Sequence, residues 1–306
     1  MSVVVFAAPS VAPPPKVSRW MPYVMSWEGS DGSVWDLSDP RSGIVMLRDG
    51  VTGMHFPGWD RYTSDSPALP GSRFRGTRVL PRDVTWAIHL YSDESSVDWV
   101  ERDRAFWRSF DPNVPGTWSV TSPDGQTRRL PCRLISAGDY EYGHSGSFKG
   151  WATYPVNLVA DDPFWLGSDV SRSWSAGELV EFFDPDDSPP FHISQKSSYD
   201  DAVMTNPGDV AAWPVWTVVG PSVDAVVTVD GGQLGLPDLS EGQTLVIDTD
   251  PARGTAVLDG VEDVSGLVLP WDPRPVPAGG EVPVSVEMSQ LAELHCRVTP
   301  KFYRAI

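Results

Sequence analysis

The sequence predicts a mainly β protein of two domains, and three observations carry that reading. Glycine and proline, 27 and 30 residues of 306, fall between alternating apolar segments and not in one block, so they punctuate many short strands. Apolar and polar residues alternate repeatedly along the chain, whereas an apolar stripe at helical spacing occurs once. A chain of 306 residues also suits two folding units of roughly 100–200 residues each.

The first domain is expected over residues 1–165, behind a proline-rich segment at 1–20. In VTWAIHLYS, Val84, Trp86, Ile88 and Leu90 share one face of a strand. The next stretch, DESSVDWVERDRAFWRSFDP, is the one good helix candidate. Val97, Val100 and Trp107 form its expected stripe, broadened by Trp99, Phe106 and Phe110. Ser95 can cap its start, with Asp98 three residues on, and Asp111-Pro112 stops it. A hairpin follows around Pro123-Asp124-Gly125, and WATYPVNLVADDPFW closes the domain.

Residues 166–306 read as an all-β sandwich. Turn signals at Asp230-Gly231-Gly232, Asp250 to Gly254, Asp259-Gly260 and Gly279-Gly280 separate the strand candidates AVVTV, TLVIDT, TAVLDG, SGLVLP and VPVSVEM. In NPGDVAAWPVWTVVGP, a turn at Asn206 to Gly208 leads to a core strand from Trp213 to Val219. Pro214 is expected to keep it at an edge or a strand start. The charge shift near DDPFWLGSD suggests that residues 1–165 fold without the second domain.

The net charge is −18, of which −15 falls on residues 166–306. Such an acidic surface repels phosphate backbones and anionic lipids, so nucleic-acid binding is disfavoured as the main role. No stretch approaches the roughly 18 apolar residues that span a bilayer. The apolar start MSVVVFAAPSVAPPPK lacks preceding basic residues and is broken by prolines, which argues against a signal peptide. Cys132 and Cys296 lie far apart with no metal-type spacing, so two buried thiols in a reducing cytoplasm are expected.

Few residues suggest chemistry. Asp161-Asp162 and the run Asp184, Asp186, Asp187 could supply carboxylates for glycoside hydrolysis, but DDP and DPDD are more simply Asp-Pro turns. His55, His89, His144, His192 and His295 are scattered, with no pair at ligand spacing. No G-x-S-x-G elbow, phosphate loop or dinucleotide fingerprint occurs, so no cofactor is expected. Arg61, Arg73, Arg75, Arg78 and Arg82 form the one basic cluster. They are either a solvated loop and strand or a segment that reaches an acidic neighbouring subunit, where arginine suits an interface. Most of the 14 tryptophans sit at core positions, and exposed ones in the second sandwich could offer a sugar platform.

The order of these pieces resembles the distal tail (Dit) proteins of long-tailed bacteriophages, also called minor tail proteins. The likeness runs from about Trp35 onward. It is carried by the strand ending HLYSD, the helix ending FDP, TWSVTSPDGQTRRLPCRL, VNLVADDPFW, NPGDVAAWPVWTVVGP and TLVIDTDPARGTAVLDG, with a Pro/Gly loop before VPVSVEM. The first 20 residues depart from the pattern. The resemblance implies a ring-forming, tail-tube-like N-terminal β domain with one packed helix, assembling as a hexamer, and a galectin-like β-sandwich outside the ring. It implies a structural, non-enzymatic virion protein at the tail tip, made in the host cytoplasm and joining the tail tube to baseplate proteins. Its implied partners are itself, the tail tube protein, the tape measure protein and tail-tip hub proteins, with the genome passing through unrecognised. A carbohydrate-binding module of a tail fibre or cell-wall protein is the alternative, and an enzyme acting on cell-wall glycan is a third.

Overall fold

The computed structural model describes residues 21–138, 146–175, 197–288 and 293–306. The proline-rich start, Asp184, Asp186, Asp187, His144 and His192 lie outside the described residues.

The first half contains β1 (Val24–Glu28), β2 (Val34–Asp36), β3 (Ile44–Met46), β4 (Trp59–Ser66), β5 (Leu69–Val79), β6 (Arg82–Tyr91) and α1 (Ser96–Arg108). β7 (Gly116–Thr121), β8 (Thr127–Ala137), the single turn α2 (Gly146–Lys149), β9 (Trp151–Ala160) and β10 (Trp165–Leu166) follow. One sheet runs β2-β1-β7-β8-β9-β6-β3, with β10 joined to β8. The strand expected from alternation is β6, whose Val84, Trp86, Ile88 and Leu90 are all buried. Trp27, Trp86, Trp118 and Trp165 meet edge-on in a chain at 5.3, 5.3 and 5.0 Å. Such pairs contribute about 0.5–1.5 kcal/mol each beyond the apolar area they bury.

Helix α1 starts where the cap was expected, with the Ser95 hydroxyl accepting the Asp98 N–H at 3.1 Å. At the other end Asp111 accepts the N–H groups of Asn113 and Val114, turning the chain toward β7. The buried face differs from the expected one. Trp99 and Phe106 are fully buried, Val100, Trp107 and Phe110 partly so, and Val97 is exposed. The larger aromatic surfaces of Trp99 and Phe106 set the helix rotation, and the valine in the first turn is left in solvent.

The second half contains β11 (Val170–Ser175), β12 (Ser197–Thr205), β13 (Val215–Val219), β14 (Val226–Val229), β15 (Gly232–Gly235) and β16 (Thr244–Asp248). It continues with β17 (Thr255–Leu258), β18 (Glu262–Asp263), β19 (Glu281–Met288), β20 (Glu293–Val298) and β21 (Lys301–Phe302). A six-stranded sheet, β11-β20-β13-β16-β17-β18, and a four-stranded sheet, β12-β19-β14-β15, share one core, so the two-sheet sandwich is present. Asp230 and Gly231 both take left-handed backbone angles, φ 46° and 78°, closing β14 onto β15 with a two-residue loop. The segment SGLVLP is no strand: Ser265–Leu267 forms a single 3-10 turn. β13 lies between β20 and β16, so Pro214 marks the start of a central strand and not an edge. Trp216 and Val218 point into the core from it.

The C-terminus returns to the sheet that the sequence reading ends at residue 165. β21 pairs with β10, placing Phe302 opposite Trp165. Ala305 is buried in the tryptophan core, and Phe302 and Ile306 pack against it. The Ala305 N–H donates to the Met54 carbonyl at 2.8 Å, and the Arg128 guanidinium lies 3.7 Å over the Phe302 ring. Residues 301–306 thus complete the first domain after the chain has built the second. Truncation after Val298 should cost the first domain about 3–5 kcal/mol, from the lost burial of Phe302, Ala305 and Ile306. Urea unfolding followed by tryptophan fluorescence checks this, and an unchanged midpoint would support the boundary at residue 165.

Candidate assembly surface

Strands β4 and β5 form a two-stranded ribbon that pairs with no other described strand. The eleven residues of β5 extend it by roughly 35 Å. Its side chains are exposed along almost the whole length of both strands, so the ribbon has no core of its own. Isolated hairpins are marginally stable in water, and long exposed strand edges offer unpaired backbone groups to other chains. A bulge at Arg75, between the pairs Tyr62–Gly76 and Thr63–Phe74, increases the local twist.

Four of the five expected arginines lie on this ribbon. Arg61, Arg73, Arg75 and Arg78 are all exposed, and among the described residues none forms an ion pair. Arg75 donates from Nε to the Ser64 hydroxyl at 2.9 Å, and Arg61 lies 5.9 Å from the Phe74 ring centre. Trp59, Tyr62 and Phe74 add exposed aromatic surface between them. Combined arginine and aromatic residues are typical of the anchoring parts of protein interfaces.

Arg82 does not belong to this group. It is 1% exposed, and its guanidinium donates to backbone carbonyls at the base of the ribbon. Nε reaches Pro163 at 2.6 Å, Nη1 reaches Gly53 at 2.6 Å and also His55, and Nη2 reaches Tyr303 at 2.7 Å. Burial pushes its pKa down to about 10, still well above neutrality. Strand phase could have separated it: Arg82 precedes Val84 by two, so alternation already places it on the buried face. Around it Phe56 stacks on Tyr303 at 5.2 Å, and Trp59 and Phe164 meet these two edge-on.

The remaining sequence candidates do not converge. Asp161 faces Arg133 at 3.3 Å, and Asp162 pairs with Lys301 at 2.9 Å while accepting the Phe164 N–H. That is turn chemistry closed by two cations. His89 packs between Tyr91 and Trp151, His295 lies 3.2 Å from Glu293, and His55 sits at the ribbon base. Cys132 and Cys296 are free and buried, and burial pushes both thiol pKa values up. Among the described residues no group of three or more His, Cys, Asp or Glu could hold a metal ion. The expected platform of exposed tryptophans in the second sandwich is also missing there. Trp174 and Trp216 are core residues, and Trp213 and Trp271 are half-buried.

The fold formed by these elements is that of phage distal tail and baseplate hub proteins. The crystal structure of the Dit (gp 19.1) protein of phage SPP1, called a paradigm of the hub adsorption apparatus in phages infecting Gram-positive hosts, matches with a TM-score of 0.59. It covers 92% of this chain and 100% of that one at 13% identity. The activated phage P2 baseplate structure with calcium matches at a TM-score of 0.54 and 10% identity, covering 92% of this chain and 99% of that one. In sequence, the chain is 24% identical over 210 residues to the minor tail protein Gp27 of Mycobacterium phage L5. It is 25% identical over 209 residues to Gp27 of Mycobacterium phage D29. Those stretches cover 64% of this chain and 61% of each relative, so the chain spans less than two thirds of the curated relatives it matches. No family model matches. The resemblance to distal and minor tail proteins read from the sequence is found again in both comparisons.

Arg82→Met should destabilise the first domain by about 3 kcal/mol, because it strands carbonyls that a side chain now serves. Arg82→Lys should recover only part of this, since a single ammonium cannot span the same fork. Urea titrations of both variants measure the effect. A methionine variant within about 0.5 kcal/mol of the parent would show that water serves those carbonyls equally well.

Proposed function

We propose that the chain is a structural component of a phage tail tip, residing in the virion, whose copies close head to tail into a ring. The exposed β4–β5 ribbon carries this reading. It has arginines and aromatics but no core, and it stands on a well-packed domain that does not need it. A ring of identical head-to-tail contacts needs one protruding element and one complementary surface per copy. An acidic surface on the neighbouring copy would suit these arginines, in a chain whose net charge is −18. The family resemblance supports six copies, a tail-tube-like ring and a galectin-like sandwich outside it. It also supports neighbours in the tail tube, tape measure and tail-tip hub proteins. The role is scaffolding and has no catalytic step.

Replacing Arg73, Arg75 and Arg78 together by serine should shift assembly toward smaller species while leaving the monomer folded. Exposed pairs contribute at most about 1 kcal/mol each, so single substitutions should do almost nothing. High salt should mimic the triple change, because screening acts on exposed charges. Sedimentation velocity at low and high salt, with negative-stain images, is the measurement. Rings equal to the parent's at both salts would mean that the three arginines are simply solvated.

A further inference from the structure

The outward face of the six-stranded sheet carries two rows of side chains fixed by register. Arg297, Val215, Asp248 and Thr255 lie opposite one another across β20, β13, β16 and β17. The next row reads His295, Thr217, Val246 and Val257. The alternate residues Cys296, Trp216, Ile247 and Ala256 fill the sandwich core, which turns these rows outward. The first row, with Val246 and Val257, lines a cleft of about 520 Å³. Trp213 also lines it, as do Asp162, Leu166 and Lys301 from the rim of the first sheet.

We propose that this cleft is a binding site for a neutral saccharide. Its lining holds three cationic groups, Arg253, Arg297 and Lys301, and three carboxylates, Asp162, Asp248 and Asp250. All six are already paired. Arg253 bridges Asp248 at 3.0 Å and Asp250 at 3.4 Å, Lys301 meets Asp162 at 2.9 Å, and Arg297 meets Asp169 at 3.6 Å. A lining with no net charge gives no advantage to phosphates, nucleotides or cations. Held in pairs, the same groups present hydrogen-bond donors and acceptors in set positions, which lowers the ordering cost of binding. The Thr255 hydroxyl adds a further polar group, the Thr299 hydroxyl already donates to Asp169 at 2.6 Å, and Val215, Val246, Val257 and the Trp213 ring supply apolar surface. A sugar ring has this same combination, with hydroxyls around its rim and C–H groups on its faces. The volume falls within the roughly 300–1,000 Å³ usual for small-molecule sites. A peptide strand fits less well, because the floor is the face of a sheet and offers no free ladder edge.

The test is saturation-transfer NMR and calorimetry on the full chain. The probes are glucose, galactose, mannose, arabinose, N-acetylglucosamine and maltose, with glucose 6-phosphate and sialic acid as charged comparators. At least one neutral sugar should bind with a Kd of about 1 mM or tighter, and Trp213→Ala and Arg253→Gln should each weaken it by about tenfold or more. Arg253 is 63% exposed, so its variant decides the matter if the tryptophan variant loses stability. No binding of any neutral sugar at about 10 mM overturns the proposal. Tighter binding of a charged comparator, or neutral-sugar binding indifferent to both substitutions, overturns it as well. Because the cleft lies within one chain, its failure would leave ring assembly, read by sedimentation, untouched.

Discussion

Arg82 is the constraint on which the rest of the first domain depends. A guanidinium taken out of water is costly unless each of its faces meets an acceptor, and among the described residues no carboxylate serves it. Backbone carbonyls of Gly53, His55, Pro163 and Tyr303 do so instead, drawn from three separate segments of the chain. The charge is thus stabilised by dipoles that have to arrive together. The segment leading to β4, the turn before β10 and the C-terminal tail are each fixed relative to the start of β6. Only the planar, multiply donating fork of arginine can hold that many acceptors from one point.

This anchoring explains how a long ribbon can stand on the domain without a core of its own. Its root is clamped, with Phe56, Trp59, Phe164 and Tyr303 packed beside the guanidinium. Beyond the root, ordering rests on β4–β5 hydrogen bonds and a few cross-strand side-chain contacts, weak support for a strand pair of that length. The ribbon gains most by laying its edge and its aromatic residues against a second chain. The arginines along it then set which surface is chosen more than how tightly it is held, because screened surface charge acts mainly on orientation and rate.

Local signals made much of this architecture legible in the sequence. Strand β6 follows strict alternation, the α1 cap follows from Ser95 and Asp98, and the β7–β8 hairpin follows from Pro123-Asp124-Gly125. In each case the determining residues lie within a few positions of one another. What was not legible is set by distant partners. Strand phase marks Arg82 as buried, but not what it binds, because its Tyr303 acceptor lies 221 residues away. Val97 lies on the opposite side of the helix from Trp99 and Phe106, so burying those two aromatics leaves it in solvent, although Val100 and Trp107 share its expected stripe. The return of Lys301–Ile306 to the first core leaves no mark on hydropathy near residue 165. The cleft is likewise invisible in sequence order, because its first row is assembled from four strands between Val215 and Arg297.

The C-terminal tail joins these two levels of organisation. To reach β10 it must leave β20 of the sandwich, and Lys301 on the way accepts the Asp209 N–H at its carbonyl while its ammonium meets Asp162. The Tyr303 N–H donates in turn to Asp209, and its carbonyl accepts from Arg82. A few consecutive residues therefore close the first core, hold the Asn206 to Val210 turn of the sandwich and contribute one side of the cleft. The recess between the two units follows from how the first sheet is completed, and a change that loosens the tail acts on the ribbon root and the cleft together.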